Sequence, residues 1–473
     1  MSGLDTTTHL LYLLSAVCFV LGLHLMNSPA SARRGNQLSA AGMTLAIVTT
    51  VVVLAHDRSS TAIAVLVLVL GVAVGGVAGA VTARRVAMTS MPQLVSVLNA
   101  VGGGAAALSA LADAIDHDGA LPLGALPVST TLTTALDLLI GGVTFSGSVV
   151  AAGKLAGRIP GRPIVFRYGH WLNLALFVVA AVCGGVYTAG HGGVPVLVVL
   201  VLAALALGVL GTLPIGGADM PVVISLLNAC TGTAVAMAGF VLDSTPLIIA
   251  GALVGAAGGI LTKLMADAMN RSLVSIVAGG FGTGDSDAPV VAPGGGSVRE
   301  VTPDDAALQL AYAQKVVIVP GYGLAAAQAQ HELVALAHAL GEHGVDVSYG
   351  IHPVAGRMPG HMNVLLSEAN APYPQLKDLE EINRVFPTTD VVLVVGANDV
   401  TNPAARRPGN AVSGMPILDV DLAKSVIVIK RSLASGYAGM DNELYTNPRC
   451  AMLFGDAKGV LAGLSTALTA YVA

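Results

Sequence analysis

Residues 315–331 read KVVIVPGYGLAAAQAQH, and this stretch decides the fold of the C-terminal part of the chain. Val316 to Val319 are four β-branched apolar residues, a pattern typical of a short buried strand. Gly321, Gly323 and Ala326 follow as G-x-G-x-x-A, at the start of an Ala-rich run with helical spacing. In a dinucleotide-binding unit the first glycine allows the turn, and the second lets the backbone approach a pyrophosphate. The third small residue lets helix and strand pack, and the helix N-terminus presents N–H groups to phosphate. The stretch therefore predicts a strand, turn and helix that bind a dinucleotide.

The composition indicates that most of the chain before this stretch does not face water. The 473 residues are 54% hydrophobic and 11% charged, with a mean hydropathy of +0.76, whereas soluble proteins carry about 25% charged residues. Residues 1–280 hold 11 of the 23 Lys and Arg. We therefore predict a transmembrane helical domain over 1–275, a Gly/Pro-rich linker over 276–300 and a water-soluble domain over 301–473. The net charge of −5 gives no indication of nucleic acid, and four cysteines without a CxxC pair predict neither a disulfide framework nor a metal site.

The first domain contains nine apolar segments that are long enough to cross a bilayer, whose core needs about 20 residues per helix. They lie near residues 8–26, 38–55, 60–82, 91–113, 129–151, 170–189, 194–212, 220–242 and 245–268. Ten of the eleven Lys and Arg of this domain fall at loops or ends on one side, and only Arg58 falls on the other. Because basic residues are enriched in cytoplasmic loops, we expect the N-terminus outside and the soluble domain in the cytoplasm.

Two of these segments repeat each other. Residues 91–107 read MPQLVSVLNAVGGGAAA and residues 220–236 read MPVVISLLNACTGTAVA, at an offset of 129. Each places one asparagine, Asn99 or Asn228, about eight residues into the bilayer, where an amide costs free energy unless it finds a partner. Interhelical hydrogen bonds would provide that partner, and a polar path between two related helices is the functional alternative. Other polar residues that could extend such a path are Asp137, Asp219, Thr133, Thr134, Ser146 and Ser148.

The soluble domain alternates predicted strands and helices. Strands are predicted at 316–320, 346–351, 391–395, 416–420, 425–430 and 451–454, and helices at 323–340, 360–369, 375–385 and 457–472. The whole chain is therefore predicted to be a multi-span α-helical membrane bundle of about nine helices, followed by an α/β Rossmann-like domain with a doubly wound parallel sheet. In such a sheet the ligand lies off the carboxyl ends of the strands.

Those strand ends favour NADP over NAD. An NAD-binding unit places Asp or Glu about 20 residues beyond the glycines, on the ribose 2′-OH. Here the second strand ends in Gly350-Ile351-His352-Pro353, which contains no acid. Lys430, Arg431 and Ser432, at another strand end, offer two cations and a hydroxyl that suit a 2′-phosphate. An ordinary basic strand terminus is the alternative interpretation of these three residues.

No side chain stands out as a proton donor to a substrate alcohol. His352, Arg357 and Asp399 are the titratable or charged groups near the predicted loops. Direct hydride transfer between two nicotinamides needs alignment and no acid–base group, so the pattern is consistent with that reaction.

The segments VPGYGLAAAQAQH, GIHPVAGRMPGHMNVLLSEA, GANDVTNPAA, KRSLASGYAGMDNELY and MLFGDAK resemble the beta subunit of proton-translocating NAD(P) transhydrogenase, and the resemblance covers essentially the whole chain. It implies an oxidoreductase of the bacterial cytoplasmic (inner) membrane, with NADP(H) bound by this chain and NAD(H) bound by a separate alpha subunit. It further implies hydride transfer from NADH to NADP⁺ coupled to proton translocation. The expected assembly is a heteromer in membrane lipid, a dimer of the alpha–beta complex.

The resemblance also implies the residues of the NADP(H) site. The family binds the dinucleotide in reversed orientation, which argues against assigning Gly321 to the pyrophosphate. GYAG at 436–439 resembles the lid over bound NADP(H). Roles in coupling are expected for Asp399 and His352, and a proton path is expected through Asn99, Asn228 and Asp219. The implied cofactor-binding residues are Tyr322, Gly323, Val354, Ala355, Gly356, Arg357, Met358, Pro359, Gly396, Ala397, Asn398, Asp399, Val400, Gly414, Met415, Lys430, Arg431, Ser432, Leu433, Ala434, Ser435, Gly436, Tyr437, Asp456 and Ala457.

The chain departs from the family pattern at one position. Many relatives carry a membrane histidine where this chain has Asn99, and an amide does not bind and release a proton near pH 7. Either the partner subunit supplies the titrating residue, or water and Asp219 move the proton. We favour the partner subunit.

Two other classes of function remain as alternatives. An ion channel or transporter gated by a regulatory nucleotide-binding domain would also combine these two halves, and it predicts solute flux without turnover. A membrane scaffold with a degenerate Rossmann domain predicts no cofactor binding.

Overall fold

The computed structural model describes residues 3–26, 29–56, 62–86, 90–120, 126–160, 163–216, 219–268, 272–273, 276, 298–356, 360–408, 410, 412–434, 436, 438 and 440–472. The chain divides into two compact units. The first comprises Met1–Pro214 and Val223–Thr262, and the second comprises Ile215–Val222 and Lys263–Ala473. Most of the linker predicted over 276–300 lies outside the described residues.

Within the described residues, nine helices are long and apolar enough to cross a membrane, which confirms the nine predicted spans. They have the lengths that a bilayer core requires, because each contains at least 20 residues. Their bounds are α1 (Gly3–Leu25), α2 (Pro29–His56), α3 (Ala62–Arg85), α4 (Met91–Ala120), α5 (Val128–Leu155), α6 (Gly169–Thr188), α7 (Gly193–Thr212), α8 (Met220–Val241) and α9 (Thr245–Ala268).

Small residues let these helices approach closely. A Cβ atom added to Gly232 in α8 would lie 2.3 Å from the backbone nitrogen of Gly255 in α9. Similarly, a Cβ atom added to Gly141 in α5 would lie 2.6 Å from the carbonyl oxygen of Gly103 in α4. Close backbone approach is a main source of helix association in lipid, where apolar side chains alone give little drive to associate. The glycine-rich segments thus set the packing of the bundle.

Helix α3 is the exception to this packing. No residue of its membrane-spanning window is buried within the chain. A Cβ atom added to Gly71, Gly75, Gly76 or Gly79 would meet nothing within 4 Å. Most of the surface of this helix is therefore left uncovered by the other described residues.

The second unit contains a six-stranded sheet in which every strand pair is parallel. The strand order is β3-β2-β1-β4-β5-β6, the order of a doubly wound dinucleotide-binding fold. The strands are β1 (Lys315–Pro320), β2 (Asp346–Gly350), β3 (Leu376–Lys377), β4 (Val391–Val395), β5 (Ser425–Lys430) and β6 (Cys450–Phe454). The helices are α10 (Pro303–Ala311), α11 (Tyr322–Ala327), α12 (Gln330–Glu342), α13 (His361–Glu368), α14 (Leu379–Asn383) and α15 (Ala457–Val472). The predicted class of this domain is therefore confirmed.

The central strands are buried on both faces, as parallel sheets covered by helices usually are. One face carries Val317, Val319, Val392 and Val394, which pack in one cluster with Phe386. Burying each such side chain contributes about 1.5–3 kcal/mol. The short runs of β-branched residues thus form the centre of the core.

Three of the predicted elements differ in the structure. The strand predicted at 416–420 is absent from the described sheet, because Pro416 lacks an N–H donor and a 3-10 turn begins at Val420. Its Leu418 and Val420 are buried in the core without strand pairing. The helix predicted over 323–340 is broken at Gln328, whose φ of 50° is left-handed. The segment predicted as a helix over 375–385 contains β3 before α14 begins.

Replacing Gly396 by alanine should destabilise the second unit. Gly396 has a φ of +67°, and its added Cβ would lie 2.4 Å from the Cα of Gly323. We expect a loss of about 3 kcal/mol, of which about 1 kcal/mol is backbone strain and the rest is the clash. The measurement is the unfolding of this unit in the detergent-purified chain. Gly344→Ala is the matched control, because Gly344 has a φ of +83° but open space around its Cβ position. Equal losses in the two variants would contradict the prediction.

Candidate functional site

The carboxyl ends of β1 and β4 meet where the strand order reverses, the usual ligand position in a doubly wound sheet. A Cβ atom added to Gly321 would lie 2.4 Å from the Cα of Ala397. One added to Gly323 would lie 2.6 Å from the Cα of Gly396. The backbone N–H of Gly323 donates to the carbonyl oxygen of Gly396 at 2.9 Å. The glycines therefore let the two turns pack directly against each other at the edge of the sheet.

Asn398 follows this contact and is the centre of a polar network. The Tyr445 hydroxyl lies 2.8 Å from the side-chain amide of Asn398, and Nδ2 of Asn442 donates to the backbone carbonyl oxygen of Asn398 at 2.9 Å. The Nζ atom of Lys430 lies 5.0 Å from the centroid of the Tyr445 ring, a cation–π contact. Burial raises the pKa of the Tyr445 hydroxyl, which therefore stays protonated and can donate. The network joins the ends of β4 and β5 to the segment before β6.

The Asp399 carboxylate ties the end of β4 to the chain that follows β5. Its Oδ2 atom accepts a hydrogen bond from the backbone N–H of Ala438 at 3.0 Å. A Cβ atom added to Gly436 would lie 2.4 Å from Oδ1 of Asp399. Only glycine leaves room for the carboxylate at that position. Asp399 thus fixes the backbone at 436 and 438.

The end of β5 supplies the positive charge of this edge. Lys430 is half-buried, and burial lowers its pKa while the carboxylates of Asp399 and Asp441 oppose that shift. Its Nζ atom donates to the carbonyl oxygen of Ala434. Arg431 and Ser432 are exposed, and none of the ion pairs among the described residues includes Arg431. A guanidinium and a hydroxyl are therefore available to an anion at this strand end.

His352 lies beyond the end of β2 and is held as a neutral ring. Its side chain is 1% exposed. Its Nε2 atom donates to the carbonyl oxygen of Pro416 at 2.7 Å, and its Nδ1 atom accepts from the backbone N–H of Val354 at 3.2 Å. Burial lowers the pKa of His352 to about 4, although the bond to Pro416 opposes that shift. The ring therefore holds two loops together without charge.

The loop after His352 also meets the turn after β1. Gly356 has a φ of +109°, and its added Cβ would lie 2.5 Å from Nδ1 of His361. The His361 ring in turn lies 6.4 Å from the ring of Tyr322, edge to face. Tyr322, Gly356 and His361 thus bring the segments after β1 and β2 to the same edge.

Some of the remaining predicted binding residues make local contacts in the second unit, and others lie outside the described residues. Gly414 donates its N–H to the carbonyl oxygen of Ala405 at 2.8 Å, and Met415 packs in a small apolar cluster beside it. Asp456 accepts the backbone N–H of Lys458 at the start of α15, at 3.3 Å. The predicted residues that lie outside the described part of the chain are Arg357, Met358, Pro359, Ser435 and Tyr437.

Sequence reasoning missed several members of this edge. Asn442, Tyr445 and His361 were not identified as site residues, although all three lie in the segments that carry the family resemblance. Asn442 is 5% exposed and also caps a short 3-10 turn through Leu444. A buried asparagine between acidic residues in MDNELY was the available signal, because buried amides need partners.

In the first unit, the two repeated helices α4 and α8 are joined by hydrogen bonds at Asn99. Nδ2 of Asn99 donates to the carbonyl oxygen of Ile224 in α8 at 3.2 Å. The Thr231 hydroxyl lies 3.2 Å from the carbonyl oxygen of Asn99. Asn228 is half-buried in α8, and Asp219 directly precedes that helix. The structure therefore contains the interhelical hydrogen bond that the buried amide of Asn99 requires.

His352→Gln should reduce the acid sensitivity of the second unit. The pKa of His352 is lowered from 6.5 to about 4 in the folded chain, so stability is complete above about pH 6.5 and falls as the unfolded chain takes up the proton first. About 2 kcal/mol is lost by about pH 5 and about 3 kcal/mol by about pH 4. A glutamine can still donate to Pro416 but does not titrate. Unfolding of the unit should be compared at about pH 7.5 and about pH 5. His343→Gln, at an exposed position, should keep the wild-type dependence, and the prediction fails if His352→Gln keeps it too.

The chain is similar to known proteins over nearly its full length. The family model described as NAD(P) transhydrogenase beta subunit matches residues 8–467. The protein named NAD(P) transhydrogenase subunit beta from Rhodospirillum rubrum is 48% identical over 454 residues, which cover 94% of this chain and 96% of that protein. The same figures hold for the protein of that name from the R. rubrum strain ATCC 11170. On this similarity, and with nine membrane helices and a parallel six-stranded sheet, the chain belongs to the NAD(P) transhydrogenase beta subunit family.

Proposed function

We propose that this chain is the NADP(H)-binding membrane subunit of a transhydrogenase that transfers hydride between NADH on an alpha subunit and NADP⁺ bound here. Proton translocation across the membrane is coupled to that transfer. The observation that carries the proposal is the edge at the ends of β1, β4 and β5, where a glycine contact adjoins an available guanidinium and hydroxyl. The nine spans in the same chain support the coupling.

The residues at this edge fit an NADP(H) molecule. Gly321 and Gly396 let the turns after β1 and β4 pack backbone against backbone, which brings the carboxyl ends of both strands to one edge. Arg431 and Ser432 would hold the 2′-phosphate, since an arginine makes paired hydrogen bonds to phosphate oxygens. Gly350 and Ile351 at the end of β2 carry no acid that would repel that phosphate. When bound, the nicotinamide supplies the carbon that accepts or gives the hydride.

The protein's own groups would position the cofactor and exclude water. Asp399 would hold the segment at 436 and 438 over the site through its bond to Ala438. Asn398 and Tyr445 would keep the end of β4 rigid beside it. Hydride transfer between two aligned rings requires no proton donor, and the neutral, buried His352 agrees with a positioning role in coupling.

The family name of a beta subunit implies an alpha-subunit partner. We propose that the alpha subunit brings the NAD(H) site, and that the exposed surface of α3 is available to membrane helices of that partner. The distribution of basic residues supports a bacterial inner-membrane topology with the N-terminus outside and the NADP(H) domain in the cytoplasm. Asn99, Asn228 and Asp219 are the proposed polar path for protons, and a dimer of the alpha–beta complex is the proposed assembly.

The alpha–beta complex in sealed vesicles should reduce an NADP analogue with NADH and move protons as it does so. An uncoupler should raise the rate of reduction of the analogue, because it removes the proton gradient that opposes the coupled reaction. Absorbance of the analogue and a pH-sensitive dye measure the two processes together. Ion flux without reduction would favour a nucleotide-gated channel, and the absence of both would favour a scaffold. Either result would overturn the proposal.

Arg431→Ala should weaken NADPH binding much more than NADH binding. Loss of the charged hydrogen bonds to the 2′-phosphate should raise the dissociation constant of NADPH about thirtyfold. NADH lacks that phosphate, so it should bind with the same dissociation constant to the wild-type complex and to the Arg431→Ala complex. Calorimetric titration of the purified complex measures the two constants.

Lys424→Ala is the matched control for this substitution. Lys424 lies before the other end of β5, where its Nζ donates to the Asp390 carboxylate at 2.7 Å. Its removal should leave the NADPH constant unchanged. A similar loss in both variants, or no loss in Arg431→Ala, would show that the end of β5 does not bind the phosphate.

A further inference from the structure

Helix α5 buries a carboxyl group that the proposed proton path through Asn99, Asn228 and Asp219 does not include. Asp137 is 0% exposed and lies about 7 Å along the axis from the middle of the helix. Neither Oδ1 nor Oδ2 has a hydrogen-bond partner in the described part of the chain. An unpaired polar group in such a position is costly, and a leucine or alanine would pack without that cost. The presence of the carboxyl therefore calls for a function.

Asp137 lies on the face of α5 that packs against α4. Positions 137, 141, 144 and 148 of a helix lie within about 60° of one another around the axis. Gly141 contacts Gly103 and Ala107 of α4, since its added Cβ would lie 2.6 Å from the Gly103 oxygen and 3.0 Å from the Ala107 Cβ. Asp137 is one turn from Gly141 on the same face. We call this face the α4–α5 seam, defined by Ser96, Gly103, Ala107, Asp137, Gly141, Thr144 and Ser148.

The α4–α5 seam carries polar atoms along its length. The Ser96 hydroxyl donates to the carbonyl oxygen of Ser148 at 2.8 Å, and the Thr144 hydroxyl donates to the carbonyl oxygen of Ile140 at 2.7 Å. The Ser148 hydroxyl is fully buried and, among the described residues, has no hydrogen-bond partner. It lies about 16 Å along the axis from Asp137. Two polar groups without partners thus share one buried interface between the same helices.

Among the described residues, the helices that pack against α5 place no Lys or Arg near Asp137 to stabilise an ionised carboxylate, and α8, which contacts Ile140, contains neither. The helices α4, α5, α6 and α7 contain one Lys or Arg among them, Lys154. It lies about 25 Å along α5 from Asp137. A lone carboxylate in a low-dielectric interior is disfavoured by burial, so the neutral, proton-bearing form is the stable one.

The other titratable groups on these helices lie mainly toward their ends. At the C-terminal end of α4, the Asp113 carboxylate lies 3.3 Å from the His117 ring, and Asp116 is exposed. Helix α6 carries His170 at one end, and its Tyr187 and Cys183 pack in the apolar cluster that contains Ala135 and Leu138. Helix α7 carries no titratable side chain. Asp137 is thus the carboxyl that lies deepest in this part of the bundle.

We propose that Asp137 is a proton-binding residue of the membrane unit, which takes up and releases a proton in the α4–α5 seam during turnover. In uptake, one carboxylate oxygen forms an O–H bond with a proton from water and the side chain becomes neutral; release breaks that bond and returns the proton to water. This inference rests on the proposed coupling of hydride transfer to proton movement. Asn99 does not titrate, and the sequence favours a titrating residue on the partner subunit. The present inference places that residue on this chain instead, at Asp137.

The test uses the alpha–beta complex in sealed vesicles, with hydride transfer and proton movement recorded together. Asp137→Asn keeps the shape of the side chain but does not bind a proton. We expect the rate of proton movement to fall about a hundredfold, the contribution to rate that is typical of a positioned proton-transfer group. Asp137→Glu keeps a carboxyl in the same place and should retain most of the proton movement. Asp116→Asn, which removes an exposed carboxyl from the end of α4, is the matched control and should behave as wild type.

Infrared difference spectroscopy of the complex gives a readout that does not depend on activity. The wild-type complex should show the C=O band of a protonated carboxyl, absent in Asp137→Asn and displaced in Asp137→Glu. The thermal stability of Asp137→Asn should equal or exceed that of wild type, because the unpaired carboxyl is costly to bury. A purely structural role for Asp137 would instead predict a loss of stability. If the Asn variant fails to assemble, the Glu variant and the infrared band decide the question.

Several outcomes would overturn this role for Asp137. Wild-type proton movement in Asp137→Asn would do so, and so would a carboxyl band that neither substitution changes. A wild-type complex that transfers no hydride would instead contradict the proposed function of the whole protein. The two failures are therefore distinguishable.

Discussion

The candidate site depends on one contact between two turns without side chains. Gly321 and Gly323 follow β1, Gly396 follows β4, and a Cβ atom on any of them would lie within 2.6 Å of the opposing backbone. The contact lies where the strand order of the sheet reverses. It fixes the direction in which the chain leaves β4, and therefore the positions of Asn398 and Asp399. Those two residues in turn hold the segments after β5 and before β6, so the whole edge is arranged around a contact that any larger residue would disrupt.

The membrane unit obeys a different constraint, because lipid offers no partner to a buried polar group. Asn99 meets the constraint with a hydrogen bond to α8, and the Ser96 hydroxyl meets it with a bond to α5. Asp137 and the Ser148 hydroxyl do not meet it within the described residues. Most polar side chains of the bundle can thus be explained by packing and hydrogen bonding, whereas neither oxygen of the buried Asp137 carboxyl is paired among the described residues, and its free-energy cost points to function.

Sequence patterns predicted the features that arise from local composition. The nine spans follow from runs of about 20 apolar residues, and β1, β4 and β5 follow from runs of β-branched residues. The edge strand Leu376–Lys377 was missed, because two residues carry no periodic pattern. The break at Gln328 was missed because nothing in an Ala-rich run marks a left-handed glutamine. The segment 416–420 was mistaken for a strand, because buried Leu418 and Val420 alternate as strand residues do.

Part of the candidate site was also predictable from local sequence patterns. Strand ends can be read from the sequence, so the glycines, Asp399 and Arg431 were identified. Asn442 and Tyr445 reach Asn398 from more than 40 positions away along the chain, and no local pattern predicts such a contact. The packing of Asp137 against α4 likewise depends on the helix register.

The most direct measurement of the central claim is an experimental density map of the alpha–beta complex prepared with NADPH. The account predicts density for a dinucleotide at the carboxyl ends of β1 and β4, with its 2′-phosphate beside Arg431 and Ser432. Density for NADPH elsewhere on this chain, or none on this chain and a full site on the alpha subunit, would contradict it.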